Sequence, residues 1–166
     1  MPGSAAAGRV PLPEPGALRE LLAQLSGHAV GAQRAAARLE PGPTVQAATY
    51  LGREGEMLAL CLCEIELAAY LGAALAVLPQ RVAKQIADTG RLEGPAEQGY
   101  RETMNVLASL LCSDTTPHLR FAESFPDPKA AGAAALALLS GPARRADYRV
   151  EIGGFGAGAL ALLAGS

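Results

Sequence analysis

The strand-like run from Glu56 to Cys63 is apolar at every position after the first, reading Met57-Leu-Ala-Leu-Cys-Leu-Cys63. Side chains of a strand alternate between two faces, so Leu58, Leu60 and Leu62 fall on one side and Met57, Ala59, Cys61 and Cys63 on the other. Both faces then need cover, which places this strand inside a sheet with packing elements above and below it. The flanking sequence supplies the rest of that sheet. Thr44 to Leu51 is a second strand-like run, joined to the first by the hairpin loop Gly52-Arg-Glu-Gly55. Leu119 to Ser124 reads as a further strand. Asp147-Tyr-Arg-Val-Glu-Ile152 alternates as a half-buried strand, Gly153-Gly-Phe-Gly156 turns it, and Ala157 to Ala164 forms the last one.

Helical spacing accounts for most of the remainder. One helix is predicted from Pro15 to Leu39, with Leu18, Leu21, Leu22, Leu25, Ala29, Ala32 and Ala36 on its apolar face and Pro41-Gly-Pro43 ending it. Glu64 to Leu78 and Pro79 to Asp88 are two more. Another opens at Gly94-Pro95 and runs to about Ser113. Ala130 to Leu139 suits a helix or a buried strand. Residues 1–14 form a Pro/Gly/Ala tail that is expected to be disordered. That leaves 15–166 as a single domain, or as two small intertwined halves. The fold class is α+β, with helices packed on a mostly antiparallel sheet.

Charge excludes one class of partner. Fourteen basic and sixteen acidic side chains give a net charge of −2, and the arginines are scattered, so no nucleic-acid footprint is present. The N-terminus lacks the cationic start and apolar core of a signal peptide, and the longest uncharged runs are too short to span a bilayer. Cys61 and Cys63 alternate along one strand, where a disulfide between them is sterically disfavoured, and Cys112 is distant in sequence. Three buried thiols in reducing cytosol explain them better than half a metal site.

The stretch Gln98-Gly-Tyr-Arg-Glu-Thr-Met-Asn-Val-Leu-Ala-Ser109 separates cleanly at helical pitch. Gln98, Glu102, Asn105 and Ser109 share one face, and Tyr100, Met104, Leu107 and Leu111 share the opposite, core-facing stripe. Asn costs a helix interior roughly 0.5 kcal/mol relative to Ala, so its place here points to a contact outside the helix. A carboxylate and an amide one turn apart can engage a cation and orient a water together. Two rival motifs are weaker. Ser109, Ser113, Asp114 and His118 hold triad residue types with no geometry to support them. Gly153-Gly-Phe-Gly-Ala-Gly158 lacks a lysine and lies between strands, as a hairpin does and a phosphate loop does not.

These residues resemble the CheC/CheX family of chemotaxis phosphatases, which includes related flagellar-switch domains. The family pattern is Asp or Ser, then Glu four residues on, then Asn three further, with a Pro some twenty-odd residues beyond. Glu102 and Asn105 fill the Glu and Asn positions, Pro128 stands at the expected distance, and Gln98 departs from the Asp/Ser position. The element order fits from about Pro15 to Gly165. The helix at Leu18-Arg-Glu20-Leu-Leu-Ala23 also aligns with Tyr100-Arg-Glu102-Thr-Met-Asn105, a loose internal repeat. Ala23 then occupies the Asn place, so a first-half site is expected to be lost, which is the CheX-like condition of one site per chain.

The resemblance implies hydrolysis of the aspartyl phosphate of a response-regulator receiver domain. Asn105 would orient the attacking water, and Glu102 would pair with the receiver's lysine. Gln98 and Ser109 would complete the partner-binding face. No cofactor of its own is implied, because the receiver supplies its own Mg²⁺. The alternative is a non-catalytic module on the same fold, docking a receiver or an assembly partner as a flagellar-switch domain does. A homodimer is expected, since CheX-like proteins dimerise and the apolar strand from Ala157 to Ala164 suggests an unpaired edge.

Overall fold

The computed structural model describes residues 9–116 and 118–165. In chain order the elements are α1 (Pro15–Ser26), β1 (Val30–Arg34), β2 (Val45–Leu51), β3 (Met57–Glu64), α2 (Ile65–Leu75), α3 (Gln80–Thr89), α4 (Gly94–Leu107), β4 (Arg120–Phe125), α5 (Ala133–Ser140), β5 (Arg144–Ile152) and β6 (Gly156–Ala164). The strands form one sheet in the order β1-β5-β6-β3-β2-β4, antiparallel at every pairing. The α+β expectation holds.

Covering elements lie on both faces, as the apolar run of β3 demands. Ala59, Cys61 and Cys63 enter a core shared with Leu18 and Leu22 of α1, Leu67 and Leu71 of α2, and Met104 and Leu107 of α4. Leu60 and Leu62 point the other way, against Ala135 of α5 and Ala161 and Leu163 of β6. The alternation breaks at the start of the strand. Pairing steps from Tyr50–Ala59 to Leu51–Met57, which makes Leu58 the extra residue of a bulge. Leu58 therefore packs on the helical side and Met57 on the α5 side, the reverse of a strict period of two.

The first predicted helix is too long. It ends at Ser26, where Gly27 takes a left-handed φ of 73° and returns its N–H to the Ala23 carbonyl at 3.0 Å. Residues Val30–Arg34 instead pair with β5, from Val30–Ile152 to Arg34–Tyr148. Of the predicted tail, residues 1–8 lie outside the described residues, and among residues 9–14 Val10 is buried in the core. The Tyr148 hydroxyl donates to the Pro13 carbonyl at 2.6 Å, and the Arg144 guanidinium donates to the Val10 carbonyl at 2.5 Å. These bonds and the burial of Val10 tie the segment to β5 and the core.

The repeat appears in the topology. Each half is a helix, a strand and a hairpin: α1, β1, β2–β3, then α4, β4, β5–β6. In the sheet β1 joins the second half's hairpin and β4 joins the first half's, while β3 and β6 meet at the centre. Leu18 and Leu22 are buried in α1 as Tyr100 and Met104 are in α4. This arrangement corrects the reason given for a dimer. Strand β6 is paired on both sides, with β3 and β5, so its apolar sequence reflects a central position and the sheet edges are β1 and β4. Among the described residues no helix is long and apolar enough to cross a membrane.

Candidate functional site

Helix α4 is set in place by a contact that only glycine permits. A Cβ on Gly99 would lie 2.4 Å from the Gly72 carbonyl oxygen, and one on Gly72 would lie 2.0 Å from that of Ala96. Helices α2 and α4 thus meet backbone to backbone, which fixes the depth and rotation of α4 one turn before Glu102. Thr103 is buried, and its hydroxyl donates to the Gly99 carbonyl at 2.9 Å. Tyr100, Met104, Leu107 and Leu111 are fully buried, as their stripe predicts.

A second anchor lies under Asn105. At the end of α4 the chain tightens into a 3-10 turn over Ala108–Leu110, and the Ala108 N–H bonds the Asn105 and Val106 carbonyls. The buried Tyr50 hydroxyl of β2 donates to the Met104 carbonyl at 2.7 Å. Burial pushes the Tyr50 phenol well above its ordinary range, so it remains a donor. Tyr50→Phe should leave that carbonyl without its hydroxyl donor and destabilise the fold by about 1–3 kcal/mol. Urea unfolding would register this as a lower midpoint at unchanged slope.

The opposite face is open. Gln98, Glu102, Asn105 and Ser109 are all exposed. Ser109 donates to the Val106 carbonyl at 2.9 Å, whereas the Glu102 and Asn105 side chains bond no other described residue. The arginine next to Glu102 in the chain is already engaged. Arg101 pairs with Glu123 of β4 and lies over the Phe121 ring, 5.6 Å from its centroid. The Arg101 hydrogen bond and the Ser124 N–H hold the Glu123 carboxyl below its usual range. Glu102 is left with its charge directed outward, next to an amide that can both donate and accept. The sequence does not single out Arg101 and Glu123, because their pairing depends on where β4 runs beside α4.

The remaining candidates resolve differently. Pro128 is buried and opens a 3-10 turn over Pro128–Ala131 that packs with β2, β4 and α5. The Ser113 hydroxyl is shared with Thr115 and Thr116, and His118 meets Arg53, so the supposed triad does not assemble. Gly153–Phe155 turns the β5–β6 hairpin, with the Phe155 N–H on the Ile152 carbonyl at 3.0 Å. Cys61 and Cys63 are buried thiols pushed upward by burial, and no cluster of three metal-type ligands occurs among the described residues. Two concavities, about 640 Å³ beside Arg34–Glu40 and about 340 Å³ beside α5, are lined by other residues than the α4 stripe.

No family model and no curated protein matches the sequence. Solved structures do. The chain is similar to FliY from Thermotoga maritima, with 12% identity and a TM-score of 0.59 over 91% of this chain and 83% of that one. It is similar to a chain of the FliG–FliM complex from H. pylori, with 9% identity and a TM-score of 0.59 over 91% and 86%. The FliM middle domain from H. pylori matches at 7% identity and a TM-score of 0.52 over 91% and 84%. At such identities the likeness shows the fold alone, which is that of FliY and the FliM middle domain.

Proposed function

We propose that this chain is a protein-docking module of the chemotaxis and flagellar-switch type, and that the exposed stripe of α4 is the surface that meets its partner. The observation that carries this is the exposed carboxylate of Glu102, unpaired among the described residues, beside an Arg101 already bound to Glu123. A similar structure belongs to a FliG–FliM complex, so this fold is found in protein assemblies. The partner we favour is a response-regulator receiver domain, whose active-site lysine suits a carboxylate displayed in this way. Gln98 and Ser109, a turn to either side, extend the contact along the helix.

A second reading rests on Asn105. Its amide lies one turn from Glu102 with no bond to another described residue, where a docked aspartyl phosphate could be reached by a water it holds. The receiver brings Mg²⁺ and its own acidic pocket, so a partner need only position that water in line. Glu102 would set the register, and no covalent intermediate on this chain is needed.

The test is titration of purified receiver domains, with and without phosphoryl analogue, against the protein and its Glu102→Lys variant. Reversing the charge should weaken binding tenfold or more, about 1.4 kcal/mol. Equal affinities for both forms would remove the stripe from the interface.

A further inference from the structure

We infer that the cleft between the Ala35–Leu39 segment and the sheet binds a small sugar phosphate, with Arg38 and Arg149 taking the phosphate. The cleft encloses about 640 Å³, within the range of small-molecule sites. Its floor is a row across three strands: Gln33 of β1 lies opposite Arg149 of β5, which lies opposite Ala159 of β6. Alternation along β5 sends Tyr148 and Val150 into the helical core and Arg145, Asp147 and Arg149 to the other face, away from α4. The wall is pinned at both ends. The Ala35 N–H bonds the Asp147 carbonyl at 2.9 Å. The Asp147 carboxylate accepts the Leu39 N–H at 2.7 Å, and the Arg145 guanidinium donates to the Leu39 carbonyl. Arg145 and Asp147 also pair with each other, with only 9% and 14% of their side chains exposed. A buried ion pair adds little stability over apolar packing. This one instead holds Ala36, Ala37 and Arg38 at a set place over the cleft.

The charges of the lining select the ligand. Arg38 and Arg149 pair with no carboxylate among the described residues, and Arg149 is unpaired even with Glu151, two residues along on its own face. Arg34 is engaged on the other face, with Glu14 and over the Tyr148 ring. Two free guanidinia on one cleft suit a phosphate, which carries about −1.5 to −2 at neutral pH and accepts from both. The lining also holds two carboxylates, Glu40 and Glu64. Glu64 accepts the Ala159 N–H on one oxygen at 2.6 Å, which leaves the other oxygen open. Such carboxylates repel a second anionic group and accept from hydroxyls, as a sugar ring beside a single phosphate requires. A bare phosphate would leave most of the volume empty. The cleft and α4 lie on opposite faces of the sheet, so the inference does not depend on what docks at α4.

The probe is ribose 5-phosphate, titrated into the full chain and followed by the NMR signals of arginine side chains. Saturable shifts are expected at Arg38 and Arg149 at millimolar concentration or below, with Arg101 on the opposite face unmoved. Arg149→Gln should weaken binding tenfold or more at an unchanged thermal midpoint, since that side chain is exposed and unpaired among the described residues. Arg38→Gln should do the same from the wall. Ribose and inorganic phosphate, each alone at matched ionic strength, should bind at least tenfold more weakly. Sulfate or inorganic phosphate binding as well as ribose 5-phosphate would mark an adventitious ion only and overturn the inference. So would citrate binding in preference to it, the absence of a saturable shift, or an affinity unchanged in both variants.

Discussion

On the hydrolytic reading of α4, replacing Asn105 with alanine should slow the loss of a receiver's aspartyl phosphate by an order of magnitude or more, with little change in binding. The side chain is exposed and bonds no other described residue, so its loss should not disturb the fold. What it removes is a group able to hold a water by its carbonyl and amide together. Deleting one positioned polar group in a transition state typically costs about 2–4 kcal/mol. Glu102→Ala should behave differently, weakening affinity and turnover together, because it removes a contact made before and during the reaction. Loss of label from phosphorylated receiver, followed at saturating and limiting protein, separates the two patterns. An unaltered protein that binds without speeding phosphate loss leaves the docking function alone. Variants as fast as an active parent would move the chemistry off α4.

The other large effect is expected at the helix crossing. Gly99→Ala places a methyl carbon 2.4 Å from the Gly72 carbonyl oxygen, well inside contact distance. The obstacle is backbone, which cannot rotate away as a side chain tip can, so α2 and α4 must separate. Overpacking commonly costs 1–3 kcal/mol, and this case should lie at about 3 kcal/mol or beyond. Against a total of about 5–15 kcal/mol that is a severe loss. Gly16 in α1 is the matched control: nothing lies within 4 Å of its Cβ position, so Gly16→Ala should be neutral or stabilising by up to about 1 kcal/mol. Denaturant midpoints of the two variants would settle the contrast.

The polar and apolar stripes of α4 could be read in the sequence because a helix sorts its own residues, whatever lies around it. The double burial of β3 could be read for the same reason: every position from Met57 to Cys63 is apolar. Features set by distant partners could not. Ala29 and Ala32 continue the helical spacing of α1, and it takes the edge of β5 and the left-handed Gly27 to turn that segment into a strand. The Leu58 bulge depends on how β2 and β3 register. The Tyr50–Met104 bond and the Arg101–Glu123 pair join residues whose nearness follows from the sheet order. Val77 adopts a positive φ of 57° at the turn after α2, a conformation for which a valine gives no signal.

The exchange of strands between the halves bears on how the chain is made. Strand β1 leaves the ribosome well before its partner β5. Strand β3 can form a hairpin with β2 at once, yet its other flank stays open until β6 is synthesised. A nascent first half is therefore not a small folded domain; it is a hairpin with an apolar edge exposed. Closing the sheet requires contacts far apart in sequence, which slows folding and prolongs the exposure of those edges to other chains. Cooperative stability of the finished sheet is thus bought with a vulnerable interval during synthesis.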